Sequence, residues 1–186
     1  MMTTLAGRLD LLTSEGGLYE KLEDKDLRCF ACGHRCLIRE GRRGICQVRF
    51  NQDGELRVPW GYVAGLQIDP VEKKPFYHLL SGADALSFGM LGCDFHCSYC
   101  QNWLSSQALR DPASDVSGRY IREISPQQIV HYGQQGGAQV VASTYNEPLI
   151  TIEWAVAVFE QAKKAGMKCV FVSNGNATPE ALDYLR

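Results

Sequence analysis

The sequence lacks a long hydrophobic run and lacks an excess of positive charge. None of its apolar stretches approaches the roughly 18–20 residues of a membrane-spanning helix, and residues 1–10 lack the apolar segment of a signal peptide. The 186 residues include 19 Lys and Arg against 21 Asp and Glu, a formal net charge of −2. Because this balance supplies no basic field for a phosphate backbone or an anionic lipid, we expect no nucleic-acid partner and no membrane partner. We expect a cytoplasmic protein.

Cysteine, in contrast, is plentiful. The reducing cytosol disfavours disulfides, so eight cysteines in such a chain indicate metal-binding or redox thiolates. They fall into an N-terminal group, a central group and a single residue within an apolar run, to which we assign no role. The N-terminal group is Cys29, Cys32, Cys36 and Cys46, the central group is Cys93, Cys97 and Cys100, and the single residue is Cys169. This grouping predicts two separate metal sites.

The central group has the spacing Cys-x3-Cys-x2-Cys. Three thiolates within eight residues can bind three irons of a cubane iron–sulfur cluster and leave the fourth iron open to a small molecule. Structural zinc sites usually have four protein ligands, so three close cysteines favour a reactive centre. The alternatives are a zinc ion whose fourth ligand is His96, or three unconnected thiols.

The N-terminal group has the spacing Cys-x2-Cys-x3-Cys-x9-Cys. Two short spacings between the first three cysteines, followed by a longer spacing to the fourth, suit a tetrahedral site that joins a knuckle and a hairpin. Thiolates bind both zinc and iron–sulfur clusters, so the spacing leaves a structural zinc ion and an auxiliary iron–sulfur cluster as candidates. Four free thiols are the remaining alternative.

The residues before and after position 82 differ in pattern. Up to residue 82 the sequence has many glycines and turn signals, and Asp53-Gly54 predicts a hairpin between strands at 48–50 and 56–58. After residue 82, short apolar runs alternate with helical segments. The predicted strands of this part are 85–91, 139–144 and 168–173. We therefore predict a small cysteine-stapled module over residues 1–82 and a second domain over residues 83–186.

Start and stop signals predict three helices between and after these strands. Ser125, followed by proline and then by Gln128, has the pattern of a capping box. A helix over 148–165 ends at Gly166, and Thr178 caps a third helix. Strands that alternate with helices imply parallel pairing with right-handed crossovers, so the predicted fold class is α/β, an open sheet or a barrel.

Each predicted strand ends in residues that carry chemistry. In α/β sheets and barrels the carboxyl ends of the strands form the active-site edge. The first strand leads into Cys93, the second into residues 145–148 with sequence Tyr-Asn-Glu-Pro, and the third into residues 174–176 with sequence Asn-Gly-Asn. We expect these three segments to meet.

The segment 93–102, Cys-Asp-Phe-His-Cys-Ser-Tyr-Cys-Gln-Asn, resembles the signature of radical S-adenosylmethionine (radical SAM) enzymes. It is especially similar to the glycyl-radical-enzyme activases, such as pyruvate formate-lyase activating enzyme. The resemblance implies that Cys93, Cys97 and Cys100 hold a 4Fe-4S cluster whose fourth iron binds S-adenosylmethionine. It also implies that Tyr99 lies beside the adenine.

Two further cofactor-binding residues follow from the same resemblance. Glu147 matches the glutamate of a Gly-Gly-Glu-Pro motif that accepts hydrogen bonds from the ammonium of S-adenosylmethionine, although Tyr145 and Asn146 replace the glycines. Asn174 matches the Thr-Asn-Gly of the activases. The alternatives are a helix-start glutamate and an ordinary Asn-Gly turn. The resemblance implies no catalytic side chain beyond the cluster ligands.

Segments 41–49 and 69–78 resemble the radical SAM member of the AmmeMemoRadiSam system. This similarity implies a partial (β/α)6 barrel, of which the three βα units of this chain would be the first half, truncated before the rest. The implied partners are S-adenosylmethionine, an electron donor such as flavodoxin or ferredoxin, and a protein substrate or a Memo-like protein.

The expected function is that of an activase-like radical SAM oxidoreductase. Such an enzyme cleaves S-adenosylmethionine reductively to a 5′-deoxyadenosyl radical that abstracts a hydrogen atom. The alternative, prompted by the incomplete barrel, is a catalytically silent, metal-stapled module that binds partner proteins.

Overall fold

The computed structural model describes residues 4–186, which form an α/β structure of short strands and helices. The strands are β1 (Thr13–Glu15), β2 (Tyr19–Lys21), β3 (Leu27–Cys29), β4 (Leu37–Ile38), β5 (Phe50–Gln52), β6 (Glu55–Pro59), β7 (Tyr62–Val63), β8 (Gly65–Pro70), β9 (Asp84–Gly89), β10 (Arg122–Glu123), β11 (Val140–Ser143) and β12 (Lys168–Phe171). The α-helices are α1 (Leu5–Leu11), α2 (Trp103–Ser106), α3 (Pro126–Gln135), α4 (Ile152–Lys164) and α5 (Pro179–Tyr184). No helix within residues 4–186 is long and apolar enough to cross a membrane.

The central sheet has the order β12-β11-β9-β8. Strands β9, β11 and β12 are parallel, with Val140 opposite both Ala85 and Lys168. The apolar runs after residue 82 therefore form the predicted parallel strands. The fourth strand, β8, was not predicted; it runs antiparallel to β9 and pairs Pro70 with Asp84. This pairing crosses the boundary predicted at residue 82, and the division into two domains stays a prediction.

The helix starts follow their capping residues. In α3, the Ser125 hydroxyl accepts a hydrogen bond from the Gln128 amide, and the Gln128 side chain accepts one from the Ser125 amide, as the capping box predicts. The helix predicted over 148–165 begins as a 3-10 turn over Pro148–Thr151 and becomes α-helical as α4. Gly166, at φ +76°, follows its end.

The region before β8 contains two small antiparallel sheets, with orders β1-β6-β5 and β2-β3-β4. The hairpin of β5 and β6 turns at Asp53 and Gly54, which both have positive φ, the geometry of a type I′ turn. The hairpin is thus where the sequence places it, but its first strand starts at Phe50 rather than Val48. Val48 instead packs beside Gly92, where an added Cβ would lie 2.7 Å from it.

A buried ion pair connects this N-terminal region to α4. The Arg49 guanidinium donates two hydrogen bonds of 2.7 Å to the carboxylate of Glu153, and both side chains are almost fully buried. Arg49 also donates to the carbonyl oxygen of Ile150. Two parallel N–H···O bonds fix the orientation of the pair, so Arg49 and α4 are held in a fixed position relative to each other.

The largest core cluster lies between the central sheet and helices α3 and α4. Leu86 and Phe88 of β9 are fully buried there against Ile129 of α3 and Trp154 and Val158 of α4. Burial of each large apolar side chain contributes about 1.5–3 kcal/mol. This packing leaves the carboxyl ends of β9, β11 and β12 at a common edge.

Candidate functional site

A cleft of about 260 Å³ lies at the carboxyl ends of the three parallel strands. Residues that follow each strand line it, as the order of strands and motifs predicts. They include Cys93 and Cys97 after β9, Tyr145 and Glu147 after β11, and Ser173 and Asn174 after β12. The cleft therefore brings together the three polar strand ends.

Glu147 is held rigidly in this cleft and is only 3% exposed. One carboxylate oxygen accepts hydrogen bonds from the Leu149 amide at 2.9 Å and the Ser173 hydroxyl at 2.7 Å. The other oxygen accepts a hydrogen bond from the backbone amide of Asn174 at 2.7 Å. Burial raises the pKa of Glu147, and these donors oppose that rise. Glu147 is thus both the N-terminal cap of the following turn and a clamp on the end of β12.

Tyr145, two residues beyond the end of β11 in the cleft wall, adopts a positive φ of +73°. This conformation suits glycine and strains a residue that has a Cβ. Its aromatic ring lies against Gly65, where an added Cβ would be 3.0 Å from the ring, and Lys74 Nζ lies 5.1 Å from the ring centre. The Tyr145 ring thus fills space that a glycine at this position would leave open.

The central cysteine loop has an irregular backbone from residue 91 to residue 102. Cys93 is half-buried, and burial raises the pKa of its thiol to about 11. Cys97 is exposed, and the Cys100 sulfur lies 3.3 Å from the Ser106 hydroxyl. The predicted adenine neighbour, Tyr99, is 85% exposed. The loop therefore presents thiols and an aromatic ring to solvent beside the cleft.

The donor set of this loop fits an iron–sulfur cube better than a single ion. The sulfur atoms of the three loop cysteines do not all lie within 4.8 Å of one another. Among residues 4–186, donor atoms this close belong to Cys32, His34 and Asp94. A four-iron cluster binds its thiolates at separate iron corners, so its ligands need a wider spacing than those of one ion. All-thiolate ligation at the mouth of a cleft suits such a cluster.

Asp94, inside the cysteine loop, was not singled out by the sequence. Its side chain is fully buried and accepts hydrogen bonds from the side-chain amides of Asn174 at 2.9 Å and Asn176 at 3.0 Å. His34 Nδ1 lies 3.7 Å from the same carboxylate. The predicted site residue Asn174 therefore contacts both Glu147 and Asp94, while the partners His34 and Asp94 lie 60 residues apart and have no local sequence signal.

The four N-terminal cysteines lie in and around the β2-β3-β4 sheet. Cys29, Cys32 and Cys46 are buried and Cys36 is half-buried. Burial raises the pKa of the Cys46 thiol to about 11 and also raises the pKa of Cys32. The Ile45 amide donates to the Cys36 sulfur at 3.4 Å. The module gathers the four residues in a dry environment, without drawing three of their sulfurs within 4.8 Å of one another among the described residues.

Arg110 joins the two cysteine loops. Its guanidinium donates to the carbonyl oxygen of Ile45, beside Cys46, and to the carbonyl oxygen of Phe95, within the central loop. His34 also meets Phe95 edge to face, with ring centres 5.7 Å apart. The two cysteine groups are therefore neighbours in the fold.

Comparison with known families matches residues 88–186 to the model described as "Radical SAM superfamily", which covers more than half of the chain. This chain belongs to the radical SAM superfamily. Membership implies binding of S-adenosylmethionine and usually of a 4Fe-4S cluster, and it suggests that this radical SAM protein is an enzyme. The matched segment begins within β9 and includes the central cysteine loop. The N-terminal cysteines precede it.

The radical SAM chain is also 37% identical over 172 residues to the Uncharacterized protein MJ0808 of Methanocaldococcus jannaschii. The aligned part is 92% of this chain and 50% of the relative, so the chain spans about half the length of that protein. No solved structure matches the chain.

Proposed function

We propose that the protein is a cytoplasmic, activase-like radical SAM oxidoreductase. In this proposal Cys93, Cys97 and Cys100 bind a 4Fe-4S cluster. When bound, the cluster supplies the electron that cleaves S-adenosylmethionine to a 5′-deoxyadenosyl radical for hydrogen abstraction. The observation that carries the proposal is the position of the three-cysteine loop, which follows β9 and opens onto the cleft that contains Glu147.

Glu147 and Asn174 are proposed to bind S-adenosylmethionine. The Glu147 oxygen that faces the Asn174 amide accepts only that one hydrogen bond from residues 4–186, and a carboxylate oxygen has room for about two. It can therefore also accept a hydrogen bond from a ligand ammonium group without losing its contact to the chain. Asn174 is held by Glu147 through its backbone amide and by Asp94 through its side chain, which ties the end of β12 to the cysteine loop.

Tyr99 is proposed to cover the adenine of the ligand. Its ring is exposed, so it can move onto a bound adenine without breaking a core contact. Phe95, within the same loop, and Trp103, just after it, are partly exposed and add apolar surface beside the cysteines. This is a suitable surface for an electron donor such as flavodoxin or ferredoxin, because electron transfer requires close approach to the cluster.

The finer assignment rests on resemblance. We place β9, β11 and β12 as the first three strands of a partial (β/α)6 barrel in a core domain of residues 83–186, behind a cysteine module of residues 1–82. Segments 41–49 and 69–78 support membership of the AmmeMemoRadiSam group, with a protein substrate or a Memo-like partner. We propose that Cys29, Cys32, Cys36 and Cys46 contribute to a second, structural metal site that holds zinc or an auxiliary iron–sulfur cluster.

Anaerobic reconstitution tests the enzymatic proposal. Protein loaded with iron and sulfide is expected to be brown and, with dithionite, to convert S-adenosylmethionine to 5′-deoxyadenosine. The Cys93→Ala, Cys97→Ala and Cys100→Ala variants should each lose this activity, whereas Cys169→Ala, a cysteine outside both groups, should retain it. Colourless protein that carries only zinc and releases no 5′-deoxyadenosine would instead support a metal-stapled interaction module.

A further inference from the structure

The contact between the two cysteine groups contains a mixed set of ligand atoms. Cys32 Sγ lies 3.7 Å from His34 Nδ1, and His34 Nδ1 lies 3.7 Å from Asp94 Oδ2. All three donor atoms lie within 4.8 Å of one another. Tetrahedral zinc with ordinary Zn–S and Zn–N or Zn–O bonds holds such ligand atoms about 3.4–3.6 Å apart. Two of the three observed spacings are therefore close to those of a zinc site.

Charge supplies a second, independent observation. The Asp94 side chain is fully buried, and among the described residues the His34 imidazole is the only basic group within 4.0 Å of its carboxylate. Two side-chain amides donate to this carboxylate, but they carry no charge. A buried carboxylate without a full positive charge beside it is costly, and in folded proteins such groups are paired or bind metal ions.

We propose that Cys32, His34 and Asp94 are three ligands of a zinc ion that connects the N-terminal cysteine module to the radical SAM cysteine loop. Among the described residues no fourth donor atom lies within 4.8 Å of all three, so one further thiolate of the N-terminal group would have to move toward the ion to complete the tetrahedron. Thiolate, imidazole and carboxylate together favour zinc over an iron–sulfur cluster, whose usual ligands are thiolates. Binding breaks the S–H bonds of Cys32 and of the fourth ligand and releases their protons to solvent. No electron is transferred.

The surroundings of Asp94 resemble the outer shell of a metal site. Asn176 donates from its side-chain amide to Asp94. The same amide nitrogen lies 3.3 Å from His34 Nδ1, and zinc bound to Nδ1 would replace this contact because that nitrogen has a single lone pair. Asn176 in turn accepts a backbone hydrogen bond from Gly33, in the knuckle between Cys32 and His34. Outer-shell hydrogen bonds of this kind orient metal ligands. Asp94 is adjacent to Cys93, so the ion would also hold one end of the central loop.

This inference refines the ligand set of the second metal site proposed above, and its test does not depend on the iron centre. The full chain is loaded with zinc and examined by zinc content and by X-ray absorption at the zinc edge. A first shell with two sulfurs and two nitrogen or oxygen atoms is expected. Zinc should be retained when Cys93, Cys97 and Cys100 are all changed to Ala, which excludes zinc in the central loop. A shell of three or four sulfurs would overturn the mixed site.

Variants locate the ligands. His34→Gln and Asp94→Asn should each weaken zinc binding by more than about 10-fold, since even the loss of an outer-shell partner has effects of that order. The matched control His131→Gln changes an exposed histidine of α3 and should bind zinc normally. His34→Gln changes a partly exposed side chain and is expected to fold. This variant therefore tests the proposal even if Asp94→Asn fails to fold. Unchanged zinc affinity in folded His34→Gln would reduce the cluster to ordinary hydrogen bonds and overturn the proposal.

Discussion

The two cysteine groups place the same residue type in opposite environments. Cys29, Cys32 and Cys46 are between 4% and 6% exposed, and Cys29 lies on a strand that pairs on both sides. The central loop has an irregular backbone, an exposed Cys97 and a Tyr99 that is 85% exposed. Closed, buried ligand sets are typical of structural metals, and open sets at a cleft are typical of reactive ones. Environment, rather than residue type, therefore distinguishes the two roles.

The largest effect should come from the open group. Cys97→Ala removes one of three anchors, so reconstituted protein is expected to lose about four irons and to release no 5′-deoxyadenosine. Because the buried group does not share this ligand, zinc content should be unchanged. Iron analysis and zinc analysis on the same sample measure both. Full iron retention in this variant, and in Cys93→Ala and Cys100→Ala, would show that the central loop does not bind the cluster.

The buried group should respond as a structural site. Cys32→Ser or chelation of the metal should unfold or loosen residues 29–46, because the binding energy of a structural metal is folding energy, about 10–16 kcal/mol in zinc-finger peptides. Hydrogen exchange of this segment is expected to rise by orders of magnitude, while the absorption of the central cluster persists. Unchanged exchange after complete metal removal would mean that the buried group has no structural metal.

The next effect concerns the ion pair that joins the N-terminal region to α4. Glu153→Gln leaves the guanidinium of Arg49 buried without its counter-charge, and it should lower the free energy of unfolding by about 3–5 kcal/mol. Glu160→Gln, an exposed position on the same helix, is the matched control and should change stability little. Denaturant unfolding of the two variants measures the difference. Equal midpoints would show that the pair does not hold the two regions together.

The smallest effect concerns the binding of the ligand. Glu147→Gln keeps the shape of the side chain but removes a charge-assisted hydrogen bond, so S-adenosylmethionine affinity should fall by about 1.5–3 kcal/mol with normal iron content. As a structural residue alone, Glu147 would contribute to stability through its three hydrogen bonds to the chain and nothing to binding. Titration of the reconstituted protein separates these cases. Equal affinities for the two proteins would assign Glu147 a structural role only.

Local signals in the sequence account for the parallel strands and the capped helices. Residues 140–143 and 168–171 form strands because short apolar runs next to glycine suit a sheet that is covered on its faces. The edge strand β8 has only a short signal, since the alternation of apolar and polar residues covers just four positions, 66–69, between a glycine and a proline. Its pairing depends on β9, which follows it in the chain. The helical segment after Glu147 begins at Pro148, as the sequence predicts, but its first turn is a 3-10 turn, because proline at this position permits both a 3-10 turn and an α-helix.

The candidate site shows the same limit. The spacing of Cys93, Cys97 and Cys100 is local, so the sequence alone indicates a cluster. His34 and Asp94 form a candidate site only because they lie close together in the fold. Their contact is created where the N-terminal region packs against the central loop. A single histidine or aspartate next to a cysteine is too common to predict such a contact. The ligand sets of both metal sites stay predictions.

The Arg49–Glu153 pair also bears on how the chain matures on the ribosome. The two residues are 104 positions apart. At a synthesis rate of about 5–20 residues per second, Glu153 is added about 5–20 s after Arg49. During that interval the small sheets around Arg49 cannot complete their native surface, so they are open to chaperones and to aggregation. We expect slower translation between these two codons to lower the yield of folded protein.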